Sequence, residues 1–173
     1  MSTALLGTYS PESLVIVLSK GSFIHTIQGY ADGSFLNIKR ETPASTLYVG
    51  SDNTAGRVKR TNKASTITIT LHQFSPSNAV LQELQRADER DSGNAWVVAM
   101  TIKDLSGTSI WSSNQTFIGT IPDAQLGSTA ENRAWELHAV SLSATIGTNT
   151  LFDASEVAAM AALGATVDPK WKL

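Results

Sequence analysis

The chain contains no cysteine, which excludes a disulfide framework, thiolate catalysis, zinc-ribbon sites and Cys-ligated iron–sulfur clusters together. Long apolar runs are also missing. The longest is Leu14-Val15-Ile16-Val17-Leu18, far short of the roughly 20 residues of a spanning helix, so no membrane partner is expected. Met1 to Ser13 carries no Lys or Arg ahead of an apolar segment; a secretory signal needs that charged front, and synthesis in a cytoplasm is the expectation. The sequon Asn114-Gln115-Thr116 is then read as chance. Charged residues make up only 16% of the chain, against roughly 25% in ordinary soluble domains.

Catalytic signatures are absent as well. No serine sits in a GxSxG elbow. Gly50-Ser51-Asp52 and Gly127-Ser128 lack the downstream glycine and lysine of a phosphate loop. His25, His72 and His138 fall on separate predicted strands with no metal-ligand spacing between them. Neither an enzyme nor a cofactor or metal site is expected.

Hydroxyl side chains replace the missing charge. The 173 residues include 20 serines and 19 threonines, more than a fifth of the chain, and β-branched threonine favours strands. The length is read as one domain over residues 1–173. Leu14 to Leu18 reads as a strand covered on both faces, followed by Phe23 to Gln28. Asp32-Gly33 reads as a tight hairpin turn joining Tyr30 to a strand at Phe35 to Arg40. Ala64 to His72 is the cleanest strand, with Ile67, Ile69 and Leu71 alternating against Thr66, Thr68 and Thr70.

Ser75-Pro76 opens a helix, with Ser75 as N-cap and an apolar stripe of Ala79, Val80, Leu81, Leu84 and Ala87, ending near Asp91-Ser92-Gly93. Trp96 to Lys103 and Ile110 to Ser112 form a hairpin around residues 104–107, and Thr116 to Ile121 a strand stopped by Pro122. Between Arg133 and Ile146 the apolar phase changes. Trp135 and Leu137 are odd, whereas Val140, Leu142, Ala144 and Ile146 are even, so a bulge or a change of sheet is required. Asp153-Ala154-Ser155-Glu156 has capping-box spacing and starts a short C-terminal helix, which Gly164 ends. The class is mainly β: an antiparallel β-sandwich or half-barrel with one flanking helix and a short C-terminal one.

Residues 41–63 break this pattern. They read as a long loop with only Leu47-Tyr48-Val49 as a strand fragment, and loops above about 12–15 residues are usually functional or disordered. From Lys39 to Lys63, six bases (Lys39, Arg40, Arg57, Lys59, Arg60 and Lys63) oppose only Glu41 and Asp52. This leaves +4 in a chain of net charge −2 and −6 for everything else. Three readings stay open for this stretch: a solvated loop, a nucleic-acid contact without nearby aromatics to stack a base, or a contact with an acidic surface of another copy. The densest acidic group is Asp88, Glu89 and Asp91 at the expected helix end. It reads as a solvated end, a metal-dependent nuclease site that lacks the necessary spacing, or an acidic contact surface. The candidate inter-subunit residues are therefore Arg57, Lys59, Arg60 and Lys63 facing Asp88, Glu89 and Asp91. The four tryptophans are read as packing, with Trp171 the most exposed.

Several segments, in order, resemble one family. They are Gly56-Arg57-Val58-Lys59-Arg60-Thr61-Asn62-Lys63-Ala64 with the Thr/Ile strand to Leu71, Phe74-Ser75-Pro76-Ser77-Asn78, Ile102-Lys103-Asp104-Leu105-Ser106-Gly107, Phe117-Ile118-Gly119-Thr120-Ile121-Pro122-Asp123, and Arg133-Ala134-Trp135-Glu136-Leu137. Together they span roughly residues 15 to 147. They are similar to the tail tube proteins of contractile-tailed bacteriophages. The resemblance implies a structural virion protein, assembled in the host cytoplasm, whose hexameric rings join strands into an inner β-barrel. The rings would stack into the channel for DNA ejection, with DNA passing through unbound, and residues 41–63 would carry contacts between rings. Tail sheath, baseplate and tail-terminator proteins are the implied partners. The segment 151–173 matches less clearly and is expected to contact a neighbour or the sheath. Two alternatives are the ring protein of a bacterial contractile injection system and a monomeric β-sandwich that binds carbohydrate through exposed tryptophans.

Overall fold

The computed structural model describes residues 6–173. Ten strands and two helices follow one another along it: β1 (Leu14–Lys20), β2 (Phe23–Thr26), β3 (Leu36–Arg40), β4 (Ser45–Val49), β5 (Ala55–Lys59), β6 (Ser65–His72), α1 (Ser77–Arg90), β7 (Val98–Asp104), β8 (Ile110–Thr120), β9 (Asn132–Ala139), β10 (Ser143–Thr145) and α2 (Ala154–Ala162). One antiparallel sheet runs β2-β1-β7-β8-β9-β6-β3, with β10 also paired to β8, while β4 and β5 form a separate two-stranded sheet. The molecule is thus mainly antiparallel β, a half-barrel with helices beside it.

Alternation sets the core. Ile67, Ile69 and Leu71 of β6 are fully buried while Thr66, Thr68 and Thr70 face partly outward, as a period of two requires. The strand β1 departs from expectation. Leu14, Ile16 and Leu18 are buried but Val15 and Val17 only partly so, so one face of β1 packs on the core and the other stays near the surface. From α1, Leu81 and Leu84 enter the same core as Trp135 and Leu137 of β9. The Trp135 indole donates to Asn78 Oδ1 at 2.9 Å, which satisfies the one polar atom of the largest buried side chain. At the helix start, Pro76 has helical φ −65° and Ser75 Oγ accepts the Ser77 amide at 3.2 Å, so Ser75 acts as the expected cap.

The Asp32-Gly33 turn is not a hairpin. Tyr30 bridges Leu71 and β3 pairs with β6, so both sides of the turn lie along one edge of β6. Gly33, at φ +84°, lets the chain loop out between them, and the Tyr30 and Phe35 rings stack across the gap with centroids 4.6 Å apart.

The phase change after Leu137 is a break in the strand. β9 pairs with the second half of β8, from Thr116 to Thr120, and β10 pairs with the first half, from Ile110 to Ser112. Between them the Leu142 amide donates to the Lys63 carbonyl at 3.0 Å, turning the Leu142 side chain into the core. The chain therefore rejoins the same sheet instead of leaving it. Beyond this point Asn149 Nδ2 donates to Asp104 Oδ2 at 2.8 Å, and Thr148 N to Thr108 Oγ1 at 2.9 Å. These bonds pin residues 147–150 to the β7–β8 turn. α2 follows with a complete capping box between Asp153 and Glu156, and Gly164 ends it at φ +78°.

Candidate assembly surfaces

The stretch expected as a loop is an ordered β arm. β4 and β5 pair from Ser45↔Lys59 to Val49↔Ala55, and the tip is closed by the Gly50 amide donating to the Thr54 carbonyl at 2.8 Å. Asn53, with φ 66°, takes the left-handed conformation that tight turns demand and asparagine tolerates. Asp52 Oδ1 accepts Thr54 Oγ1 at 2.7 Å, and the Thr54 hydroxyl and amide hold that carboxyl below its ordinary range. The sequence missed β5 because Gly56-Arg57-Val58-Lys59 has no apolar alternation against a core. Its strand exists through pairing alone.

The arm buries almost nothing. Leu47, Tyr48, Val49 and Val58 are all at least half exposed, a hydrophobic exposure that surface strands normally avoid. Cross-strand partners share a face, so Leu47, Val49, Arg57 and Lys59 lie on one side and Tyr48 and Val58 on the other. The first side is apolar and basic; the second is uncharged.

The root of the arm is anchored. Arg40 Nε donates to the Asn62 carbonyl at 3.1 Å and the Glu41 amide to the Ala64 carbonyl at 3.0 Å. Glu41 Oε1 accepts the Thr66 hydroxyl at 2.8 Å and lies 3.2 Å from His138 Nδ1. The Thr66 bond, then His138, keeps the Glu41 carboxyl below its usual value. The other imidazole nitrogen lies 3.4 Å from Glu136 Oε1. Gly119 makes room for this group, because a Cβ there would fall on the His138 ring. This cluster had no signature in sequence, since its members come from β6, β9 and the residue after β3.

The candidate contact residues divide into separate places. Arg57 and Lys59 are on β5 and Arg60 follows it. Lys63 stands apart on the return leg, at a groove of ≈ 580 Å³ that it shares with Arg40, Ile38, Trp111 and Ile146. Among the described residues none of the six bases between Lys39 and Lys63 forms an ion pair. Asp88 and Glu89 occupy the last turn of α1. Asp91 follows the helix and accepts the Gly93 and Ala95 amides at 3.2 and 2.9 Å, so its carboxylate, expected to face the arm, is engaged in a local turn. Glu89 Oε1 accepts Gln85 Nε2 at 2.6 Å. No acidic residue of α1 pairs with the arm within one chain.

Among the described residues the sheet itself has two open edges. The Glu41 amide bonds Ala64 and the Thr70 amide bonds Phe35, so by antiparallel alternation the backbone groups of Leu36, Ile38 and Arg40 face away from β6. The same reasoning from the Ile27 amide, bonded to the Ile16 carbonyl, leaves those of Ile24 and Thr26 facing outward on β2.

The tryptophans differ from expectation. Trp96 is the most exposed and Trp171 is half-buried, whereas Trp135 is core. His25, His72 and His138 stay apart, and among the described residues no group of His, Asp and Glu is arranged to hold a metal ion. No helix among them is long and apolar enough to cross a membrane.

Residues 8–147 match the family described as Bacteriophage PhiTE tail tube protein. The chain is 30% identical over 166 residues to "Structural protein ORF10" of Pseudomonas phage KPP10, covering 95% of this chain and 96% of that protein. Two solved structures share the fold at a TM-score of 0.54 and 13% identity. One is the tube-terminating cap of the anti-feeding prophage, covering 84% of this chain and 95% of that one. The other is the sheath/tube terminator of an extracellular contractile injection system, PVC, in the extended state, covering 83% and 100%.

Proposed function

The chain belongs to the bacteriophage PhiTE tail tube protein family, and from that premise we propose that it is a non-enzymatic subunit that assembles with copies of itself into stacked hexameric rings around a channel for DNA. The observation that carries this reading is the β4–β5 arm. An ordered hairpin with four exposed large apolar side chains is costly to leave in water, and a partner surface removes that cost.

The open edges of β2 and β3 support ring closure. Copies joined edge to edge extend one sheet around the ring and leave no strand end unpaired. The outward face of β6, with Thr66, Thr68 and Thr70, offers short hydroxyl groups and little positive charge, so it suits a wall past which phosphates move without being gripped. Arg57, Lys59, Arg60 and Lys63 on one copy and Asp88, Glu89 and Asp91 on the next are the proposed electrostatic contacts. Asp91 contributes least, because its oxygens already serve backbone amides. The sheath, baseplate and terminator proteins of the same tail are the proposed partners, in a particle assembled in the host cytoplasm.

A second reading is favoured by the fold likeness to a tube-terminating cap and a sheath/tube terminator: a ring that ends a tube. Electron microscopy of the purified protein with sedimentation velocity separates the two. Open-ended tubes of variable length support the tube subunit. Discrete rings that never stack favour the terminal ring, and a monomer at every salt and concentration overturns both.

A further inference from the structure

The inner face of β2 is not wholly apolar. Phe23, His25 and Ile27 alternate toward the body of the fold while Ile24 and Thr26 face outward, so a histidine holds the middle place of this row. It meets the start of α1, where Ser77 is closed to solvent. Ser77 Oγ accepts the Gln28 amide at 2.9 Å and lies 3.0 Å from His25 Nε2. The Ser75 hydroxyl donates to the Gln28 carbonyl, so both backbone groups of Gln28 are tied to the helix start.

The buried serine fixes the histidine tautomer. Among the described residues His25 Nε2 is the one acceptor within reach of the Ser77 hydroxyl hydrogen, and a buried donor needs an acceptor. Ser77 therefore donates, and the neutral ring accepts at Nε2 with its own proton on Nδ1. Protonation undoes this arrangement. An imidazolium has two donors and no acceptor, so Ser77 Oγ would face two donors while its own hydrogen lost its partner. The positive end of α1 also opposes a cation there, and burial holds the ring below its ordinary value. The surroundings offer no compensating anion. Ser77 to Val80, the first turn of α1, has no titratable residue; Glu83, the first charge on the helix, is paired with Arg86; β1 presents Leu18 opposite His25, and its sole charge is the cation Lys20 opposite Phe23. His72 is the other titratable group beside this cluster, packed near Gly29 and Ser75.

We propose that His25 and Ser77 form a proton-sensitive clasp that locks the β2 edge onto α1: when the ring takes up a proton the clasp opens, and residues 23–28 loosen while the rest of the sheet holds. The opening is local because β2 is a four-residue edge strand bonded only to β1 among the described residues, whereas β6 and β9 lie inside the sheet. Where copies join edge to edge, acid then weakens the β2 side of the joint and spares β3, a consequence that rests on the self-assembly reading; the clasp itself does not.

Hydrogen exchange at about pH 7.5 and about pH 5, corrected for intrinsic rates, brackets the range in which histidine changes charge. Protection of residues 23–28 should fall at least about threefold and at most about thirtyfold, the limit for one proton binding an opened ring of ordinary pKa about 6.5. Exchange there should ignore urea added below the unfolding transition, as local opening does, while exchange in β6 and β9 rises with it. His25→Gln should abolish the fall and His72→Gln should keep it, with far-UV circular dichroism establishing that each variant is folded. No fall in the parent chain, a fall that survives His25→Gln, or a urea dependence in β2 equal to that of β6 overturns the clasp. Nitrogen NMR of the parent chain's three imidazoles gives a readout that needs no variant: at about pH 7.5 His25 should carry its proton on Nδ1, and a proton on Nε2 overturns the clasp as well.

Discussion

Replacing the fifteen residues Ser45–Lys59 with Gly-Ser-Gly separates folding from assembly. The arm contributes no buried residue, so its removal forfeits no core burial. The root stays closed through the Glu41 amide and Ala64 carbonyl and through the Arg40 guanidinium on Asn62. The connection between β3 and β6 falls from 24 residues to 12, and halving a loop lowers its closure cost by about 0.6 kcal/mol. An isolated two-stranded ribbon is itself only marginally stable. The variant should therefore unfold within about 1 kcal/mol of the parent in urea, on the stable side if anything, while sedimentation velocity shows that it no longer assembles. A loss above roughly 2 kcal/mol would mean that the arm supports the core, since surface changes away from such packing rarely exceed ±0.5 kcal/mol. Unchanged assembly would refute its role as a joint.

Trp135→Ala should cost about 3–5 kcal/mol, because the indole is 2% exposed and its loss also strands Asn78 Oδ1; urea denaturation checks this, and a cost under about 1 kcal/mol would be inconsistent with a packed site. For Asp104, burial raises the carboxyl but the Ser106 and Asn149 hydrogen bonds outweigh it and hold it below the ordinary value. A depressed carboxylate stabilises the fold above its unfolded pKa of about 3.9 and loses that contribution as pH falls through the lower folded value. Asp104→Asn should accordingly flatten the fall in melting temperature below about pH 4. His25 is pushed down by burial, so its protonation opposes folding, and stability should decline as pH drops below about 6.5; His25→Gln should remove that step. Asp153→Ala breaks the capping box, and hydrogen exchange should quicken in α2 while the amides of β6 and β9 keep their protection, since α2 buries no residue.

Local pattern carried the elements that rest on periodicity or capping. The alternation of Ile67, Ile69 and Leu71 with threonines determined β6 and its buried face, and Ser75-Pro76 and Asp153-Glu156 determined the two helix starts, because cap chemistry acts within three residues. The lone excess of positive charge between Lys39 and Lys63 was equally legible, as was the family likeness carried by segments from Gly56 to Leu137. Tertiary structure decided what depends on partners distant in the chain. Asp32-Gly33 is a loop along β6 because Tyr30 and β3 both pair with β6 and not with one another. Arg57, Lys59 and Val58 became a strand only by pairing with β4, with no core to write an alternation into them. The phase change at Val140 is resolved by the Lys63 carbonyl, 79 positions earlier than Leu142, and a groove lined by Trp96 and Phe23 forms where α1 meets β2. Short-range capping and side-chain period are written in adjacent residues; which edges stay open, and which apolar surfaces remain uncovered, follow only from how the whole sheet closes.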